Sequence, residues 1–405
     1  MRISTHRAPS PPLPRLWTAA ALAGLALLFF STGRWGPEAL LAGDAIMGEQ
    51  LLHGLARPDP SISWTMPLNT VWMALASGAK GPAAAAALWA LPQVLIPILL
   101  FALGWLLGSA PAALFSVLAF AMIPSLMGFG NYAQCAYSVL VLLTAGILVW
   151  RAARPAPERD LAAGLAVGAS LLFRSALAFF PPLLFAVEWL AAPRGAKPGR
   201  AVFAALVLAP YLFLVPWLLM NRATQHRWIP FEDHRADMNI ALGALGVVPN
   251  AEGEWRQLLP DPPDFRGSGS VLWWAARETA RHPLLFVRAY GARLAYVFSF
   301  QPLLLLALLA AAAARWRSNV YRPLLTLIFY FIGIHCFMTI SPEYMIPVWP
   351  LATAATAAAA AGLLRPPRPA PSGERAGDRA AAGLLLACLA AALLASAAVL
   401  GLAAA

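Results

Sequence analysis

The stretch Ala133-Gln-Cys-Ala-Tyr-Ser-Val-Leu-Val-Leu-Leu-Thr-Ala-Gly-Ile-Leu-Val-Trp-Arg151 carries no charge until its last residue. An α-helix rises about 1.5 Å per residue, so a run of this length covers most of the roughly 30 Å hydrocarbon core of a bilayer. Similar apolar runs recur along the chain, among them Trp17–Thr32 and Gly383–Ala404. The composition agrees: 60% of the 405 residues are hydrophobic, 12% are charged, and mean hydropathy is +0.68. A soluble domain carries about 25% charged residues to cover its surface. The pattern predicts an all-α, polytopic helical membrane protein and excludes a soluble globular enzyme.

Spans are expected near 16–33, 82–108, 110–128, 133–151, 161–175, 178–192, 201–220, 302–314, 323–340, 345–363 and 382–404, about eleven in all. Two of them, 161–175 and 178–192, are short and separated by Phe179-Phe180-Pro181-Pro182, which predicts a tight hairpin broken at the prolines. The span at 302–314 is also short and is expected to draw on the apolar stretch before Gln301. The chain divides into a transmembrane body over 1–363, a Pro- and Arg-rich linker over 364–381, and an added C-terminal helix over 382–405.

Net charge is +11. The arginines gather in short linkers, Arg151–Asp160, Pro193–Arg200, Arg315–Arg322 and Arg365–Arg379, so their role is topological rather than nucleic-acid binding. Alternation then puts these linkers and the N-terminus in the cytoplasm, in what is expected to be a bacterial inner membrane. Arg2, Arg7 and Arg15 before the first apolar run imitate a secretory signal, but no small-x-small cleavage site follows, and an uncleaved first span is expected. Cys135, Cys336 and Cys388 lie in or beside apolar runs without CxxC spacing and read as packing residues. His226 and His234 have no ligand-like spacing, so no metal site is indicated. No phosphate-binding glycine loop is present either.

Two long external regions remain, Gly33 to about Lys80 and Asn221 to about Phe300, and long polar connections are where membrane proteins keep their chemistry. The second holds an interfacial helix over Pro283–Phe298, with Arg288 and Arg293 set among Leu, Phe, Tyr and Val. The first reads Gly43-Asp44-Ala45-Ile46-Met47-Gly48-Glu49, followed by Pro58–Pro67 and Leu68-Asn69-Thr70.

That first region resembles the first loop of GT-C glycosyltransferases, polytopic enzymes such as protein O-mannosyltransferases and aminoarabinose transferases. The similarity continues in order. Leu161-Ala-Ala-Gly-Leu-Ala-Val-Gly to Phe173-Arg174 is similar to the family's glycine-containing span ending in Arg. Pro216-Trp217, Asn221, Trp228-Ile229-Pro230-Phe231 and Asn239–Gly243 resemble its Pro-Trp segment and external loop. His282-Pro283-Leu-Leu-Phe286 resembles its interfacial helix, and Glu343-Tyr344-Met-Ile-Pro347 its late Arg-Tyr-x-x-Pro element.

The resemblance implies transfer of a sugar from a polyprenyl-phosphate donor to a protein, lipid or glycan acceptor on the external face. Asp44 would be the catalytic base. Arg174, Glu49, Arg222, Arg227, His234, Glu343, Tyr344 and Gln134 would line the donor or acceptor site, with no cofactor indicated and membrane lipid as a partner. Three positions depart from the family pattern: Ala45 replaces a second acid, Gln134 stands where many members have an acid, and Glu343 stands where Arg is usual. Two other classes stay open on the residues alone. A transporter or flippase would need ionisable groups in mid-span; a non-catalytic assembly subunit would keep the fold without activity.

Overall fold

The computed structural model describes residues 65–78, 82–108, 110–121, 132–193, 195, 197–233, 236–249, 271–363 and most of 383–394. The expected first span at 16–33 and the residues Asp44, Glu49 and His234 lie outside the described residues. The architecture is all-α, with no strand among the described residues and one isolated bridge between Pro249 and Ile340.

The helices are α1 (Pro67–Gly78), α2 (Pro82–Leu107), α3 (Ala110–Ala121), α4 (Tyr132–Ala153), α5 (Pro157–Phe173), α6 (Phe180–Ala191), α7 (Arg200–Gln225), α8 (Asp237–Ala244), α9 (Val271–Arg281), α10 (Pro283–Phe300), α11 (Pro302–Arg315), α12 (Tyr321–Cys336) and α13 (Val348–Leu363). Within α4, Ala133–Ala153 is long and apolar enough to cross a membrane, and so is α7. Shorter apolar helices are Leu91–Leu107, Ala110–Ala121, Ser175–Ala191, Tyr321–Cys336 and Val348–Gly362. The protein is a helical membrane protein on this composition and these helices.

The core lies between α2, α4, α5, α12 and α13. Leu99, Leu103, Val141, Leu148, Leu171, Leu324 and Leu351 are wholly buried in it. Small residues set the closest approaches, as packing inside a bilayer favours. A Cβ on Gly164 of α5 would stand 2.0 Å from the Ala205 carbonyl oxygen, in a π-helical turn of α7 at Ala204–Leu208. The glycine run recognised in the sequence is therefore a contact surface for α7. At the far side of α4, Leu385 packs on Gly146.

Two local boundaries differ from expectation. The α5–α6 break lies at Arg174–Phe179 rather than at the proline pair: Arg174 is extended (φ −154°, ψ 142°) and Ser175–Leu177 form a 3-10 turn. Pro181 and Pro182 sit in the first turn of α6, where no intrahelical donor is needed. Second, α11 does not continue back through Gln301, because α10 meets it at 108°. Gln301 precedes Pro302, and the proline ring disfavours helical backbone before it; Gln301 adopts φ −146°, ψ 66°.

The ends of the bundle differ in chemistry. At one, the Arg151 guanidinium joins three helices. Its Nε lies 2.5 Å from Asp160, and Nη1 and Nη2 donate to Glu188 at 2.6 and 2.9 Å. Arg154, Arg159, Lys197, Arg200, Arg315, Arg317 and Arg322 belong to the linkers at this end. Aromatic and polar residues gather at the other, around Arg174 and Arg293.

Candidate functional site

At the opposite end from Arg151, the first turns of α4 and α6 meet the last turns of α5 and α12. Tyr137 stacks on Phe173 with centroids 6.0 Å apart and rings 15° from parallel, and its other neighbour is Phe331 at 6.2 Å. Phe331 stacks on His335 at 4.6 Å, and His335 faces Tyr344 at 5.8 Å. A row of rings thus runs from the end of α5 across α12 to the 3-10 turn Pro342–Met345.

Arg174 follows Phe173 directly, at the point where the chain leaves α5 in extended form. It is half-buried, beside the Phe173 ring that stacks on Tyr137. The neighbouring Ser175 hydroxyl donates to the Glu232 carboxylate, which brings the second external loop to the same spot. That loop is anchored from below by Asn221, whose buried amide donates to the Ile229 carbonyl at 2.9 Å. Tyr330 fixes the start of α6 by donating to the Ala176 carbonyl at 2.8 Å and accepting the Phe179 N–H at 3.1 Å.

On the far side of α12, Asn239 of α8 accepts the Thr339 hydroxyl at 2.7 Å and donates to the Tyr344 hydroxyl at 3.2 Å. The backbone repeats the connection, with Thr339 N–H to Asn239 carbonyl at 3.2 Å and Ile340 N–H to Val248 carbonyl at 3.0 Å. Gly243 makes the fit possible, since a Cβ there would stand 2.8 Å from both Met338 Cα and the Phe337 carbonyl oxygen. Phe286 of the His-Pro-x-x-Phe element packs on Phe337 at 5.6 Å.

Arg293 holds this layer. The sequence reads it, with Arg288, as part of an interfacial face, and Arg288 is indeed exposed. Arg293 is instead wholly buried. Its guanidinium donates to Val247 at 3.0 and 2.8 Å, to Gly243 at 2.6 Å and to Cys336 at 3.1 Å, all backbone carbonyls. Gly243 and Cys336 lie in the last turns of α8 and α12, where helix geometry concentrates negative charge, and Val247 lies in the loop after α8. A buried arginine, with no carboxylate contact among the described residues, closes two helix ends and the loop after α8.

The structure therefore brings Arg174, Gln134 and Tyr344 to one end, with Glu343 beside Tyr344 in the same turn. Gln134 is buried in the first turn of α4, three residues before Tyr137. It does not bring Arg222 or Arg227 into the ring cluster. Arg222 is exposed, donates to the His226 carbonyl and lies 5.8 Å from the Trp228 ring; Arg227 pairs with Asp233 at 3.1 Å. These are local loop contacts. Sequence reading missed Tyr137, His335 and the anchoring role of Arg293. A polar aromatic residue in the last turn of an apolar span was the signal for His335. Among the described residues no group of three His, Cys, Asp or Glu side chains could hold a metal.

Among the buried polar atoms with no hydrogen-bond partner among the described residues are the Tyr137 hydroxyl and both amide atoms of Asn69 in the first turn of α1.

No family model matches the chain, and no curated protein matches it. A solved structure that is similar is the archaeal oligosaccharyltransferase AglB from Archaeoglobus fulgidus, in complex with an inhibitory peptide and a dolichol-phosphate. It shares 13% identity at a TM-score of 0.46, covering 97% of this chain and 56% of that one. The chain thus spans little more than half the length of that protein.

Proposed function

We propose that the protein is a membrane glycosyltransferase of the GT-C kind, moving a sugar from a polyprenyl-phosphate donor to an acceptor at the external face. One observation carries the reading. Four segments that resemble the family in sequence are far apart in the chain, yet they meet around the last turn of α12. Arg174 follows Phe173, whose ring reaches His335 through Tyr137 and Phe331; Asn239 bonds Thr339, Phe286 packs on Phe337, and Tyr344 faces His335. Residues of mere topological use would have no reason to converge.

The chemistry needs a base for the acceptor and positive charge for the departing phosphate. In the proposed step the acceptor oxygen attacks the anomeric carbon, the carbon–oxygen bond to the lipid phosphate breaks, and the acceptor proton passes to the Asp44 carboxylate. Polyprenyl phosphate leaves with the electron pair and is held by the Arg174 guanidinium, whose planar fork suits phosphate oxygens. A single displacement with one base needs no covalent intermediate.

The test is incubation of the purified protein in lipid with labelled polyprenyl-phosphate sugars, followed by mass analysis of products. Transfer is expected from the wild type and should be lost in Asp44→Asn, with membrane insertion and folding unchanged. Full transfer by Asp44→Asn would remove the central assignment.

A further inference from the structure

Tyr137 has a hydroxyl that packing does not explain. The residue is 1% exposed, its ring is held between Phe173 and Phe331, and its oxygen has no hydrogen-bond partner among the described residues. Phenylalanine would fill the same space without burying a polar atom, and a buried hydroxyl left without a partner is destabilising. Such a group calls for a partner, and a ligand can supply it.

The surroundings identify the chemistry of that partner. Arg174 directly follows Phe173, whose ring stacks on Tyr137, and Glu232 reaches the same place through Ser175. Glu232 is already engaged by the Ser175 hydroxyl. With that carboxylate engaged, the Arg174 guanidinium at this end favours an incoming anionic oxygen over a second cation. A phenol donates one strong hydrogen bond to such an oxygen. Its position is fixed in advance by the rings on either side, so little entropy is lost on binding.

We propose that Tyr137 is a ligand-binding residue whose hydroxyl donates to a phosphate oxygen held at the same time by Arg174. This deepens the function proposed above and rests on it for the source of the phosphate, the head group of a polyprenyl phosphate. The phosphate chemistry itself rests on the geometry of Phe173, Tyr137, Phe331 and Arg174.

The experiment measures binding of polyprenyl phosphate and, separately, of inorganic pyrophosphate to the full chain in lipid nanodiscs, by native mass spectrometry and by the ligand-induced rise in melting temperature. Tyr137→Phe is expected to melt no lower than wild type without ligand, and to bind polyprenyl phosphate about tenfold more weakly, with a smaller temperature rise. If the wild type binds polyprenyl phosphate and Tyr137→Phe binds it equally well, the hydroxyl has no part in the site and the inference falls, while the proposed transferase stands. Binding of pyrophosphate but not of the lipid, weakened by Tyr137→Phe, would support the phosphate site and overturn the lipid donor. Binding of neither by the wild type would overturn this inference directly.

Discussion

Asn239 donates its side-chain amide to the hydroxyl of Tyr344, 105 residues further along the chain, at 3.2 Å, while the same amide oxygen accepts from Thr339. One side chain thus ties α8 to the end of α12 and to the turn that follows it. Removing the phenol oxygen with Tyr344→Phe is expected to cost about 1 kcal/mol, the usual net worth of a hydrogen bond. In a double-mutant cycle with Asn239→Ala the two losses should be non-additive by at least about 0.5 kcal/mol. Additive losses in detergent-solubilised melting would show that the contact contributes nothing.

Arg293→Met should be among the most damaging single changes in the described residues. It removes the guanidinium bonds to Gly243, Val247 and Cys336 together and leaves Gly243 only its bond from the Gly246 N–H, at a cost of several kcal/mol, about 3–5 on the scale of a broken buried charge network. Arg293→Lys should restore only part of this, because an ammonium group lacks the span of the guanidinium fork. Arg288→Met, on the exposed face of the same helix, should change stability by no more than about 0.5 kcal/mol. Melting temperature and yield of folded protein check all three.

Glycine substitutions on neighbouring elements should move in opposite directions. Gly243→Ala places a methyl 2.8 Å from backbone atoms of Phe337 and Met338, so α8 must shift away from α12, and a loss of about 1–3 kcal/mol is expected. Gly291→Ala in α10 meets nothing within 4 Å and should gain up to about 1 kcal/mol from helix propensity. Equal effects at the two positions would contradict the close approach of α8 and α12.

At the basic end, Arg151→Met leaves Asp160 and Glu188 without the cation they share. Breaking such a buried set by removing one partner is expected to cost about 3–5 kcal/mol. The triple change Arg151→Met, Asp160→Asn, Glu188→Gln should recover much of the loss, since no uncompensated charge stays buried. A triple variant as unstable as the single one would mean that the arginine acts through its packing alone.

How far these features were legible in the sequence depends on whether their partners are local. The run 82–108 and the helix from Pro283 are set by local periodicity and by prolines at helix starts, and the structure gives α2 at Pro82–Leu107 and α10 at Pro283–Phe300. The α5–α6 break was misjudged because a proline pair reads equally as a terminator or as a first turn, and only the backbone at Arg174 decides. Arg288 and Arg293 look alike in sequence. What separates them is carbonyls 43 to 50 residues away, which no periodicity reveals. Tyr137 was overlooked for the same reason, since its rings come from α5 and α12. The convergence of Arg174, Asn239 and Tyr344 was legible only through family resemblance, and Arg222 and Arg227 show that an external position does not by itself bring a charge to the site.

The guanidinium of Arg293 gathers carbonyls from α8, from the loop at Val247 and from α12, and the Ile340 amide is tied to the neighbouring Val248 carbonyl. Segments joined through one group open together rather than one by one. Backbone amides of Val247 and of Thr339 and Ile340 should therefore exchange their hydrogens for deuterium as one cooperative unit, with a shared opening free energy. The floor of the site would then be either wholly present or wholly absent, with no half-formed state for a substrate to meet.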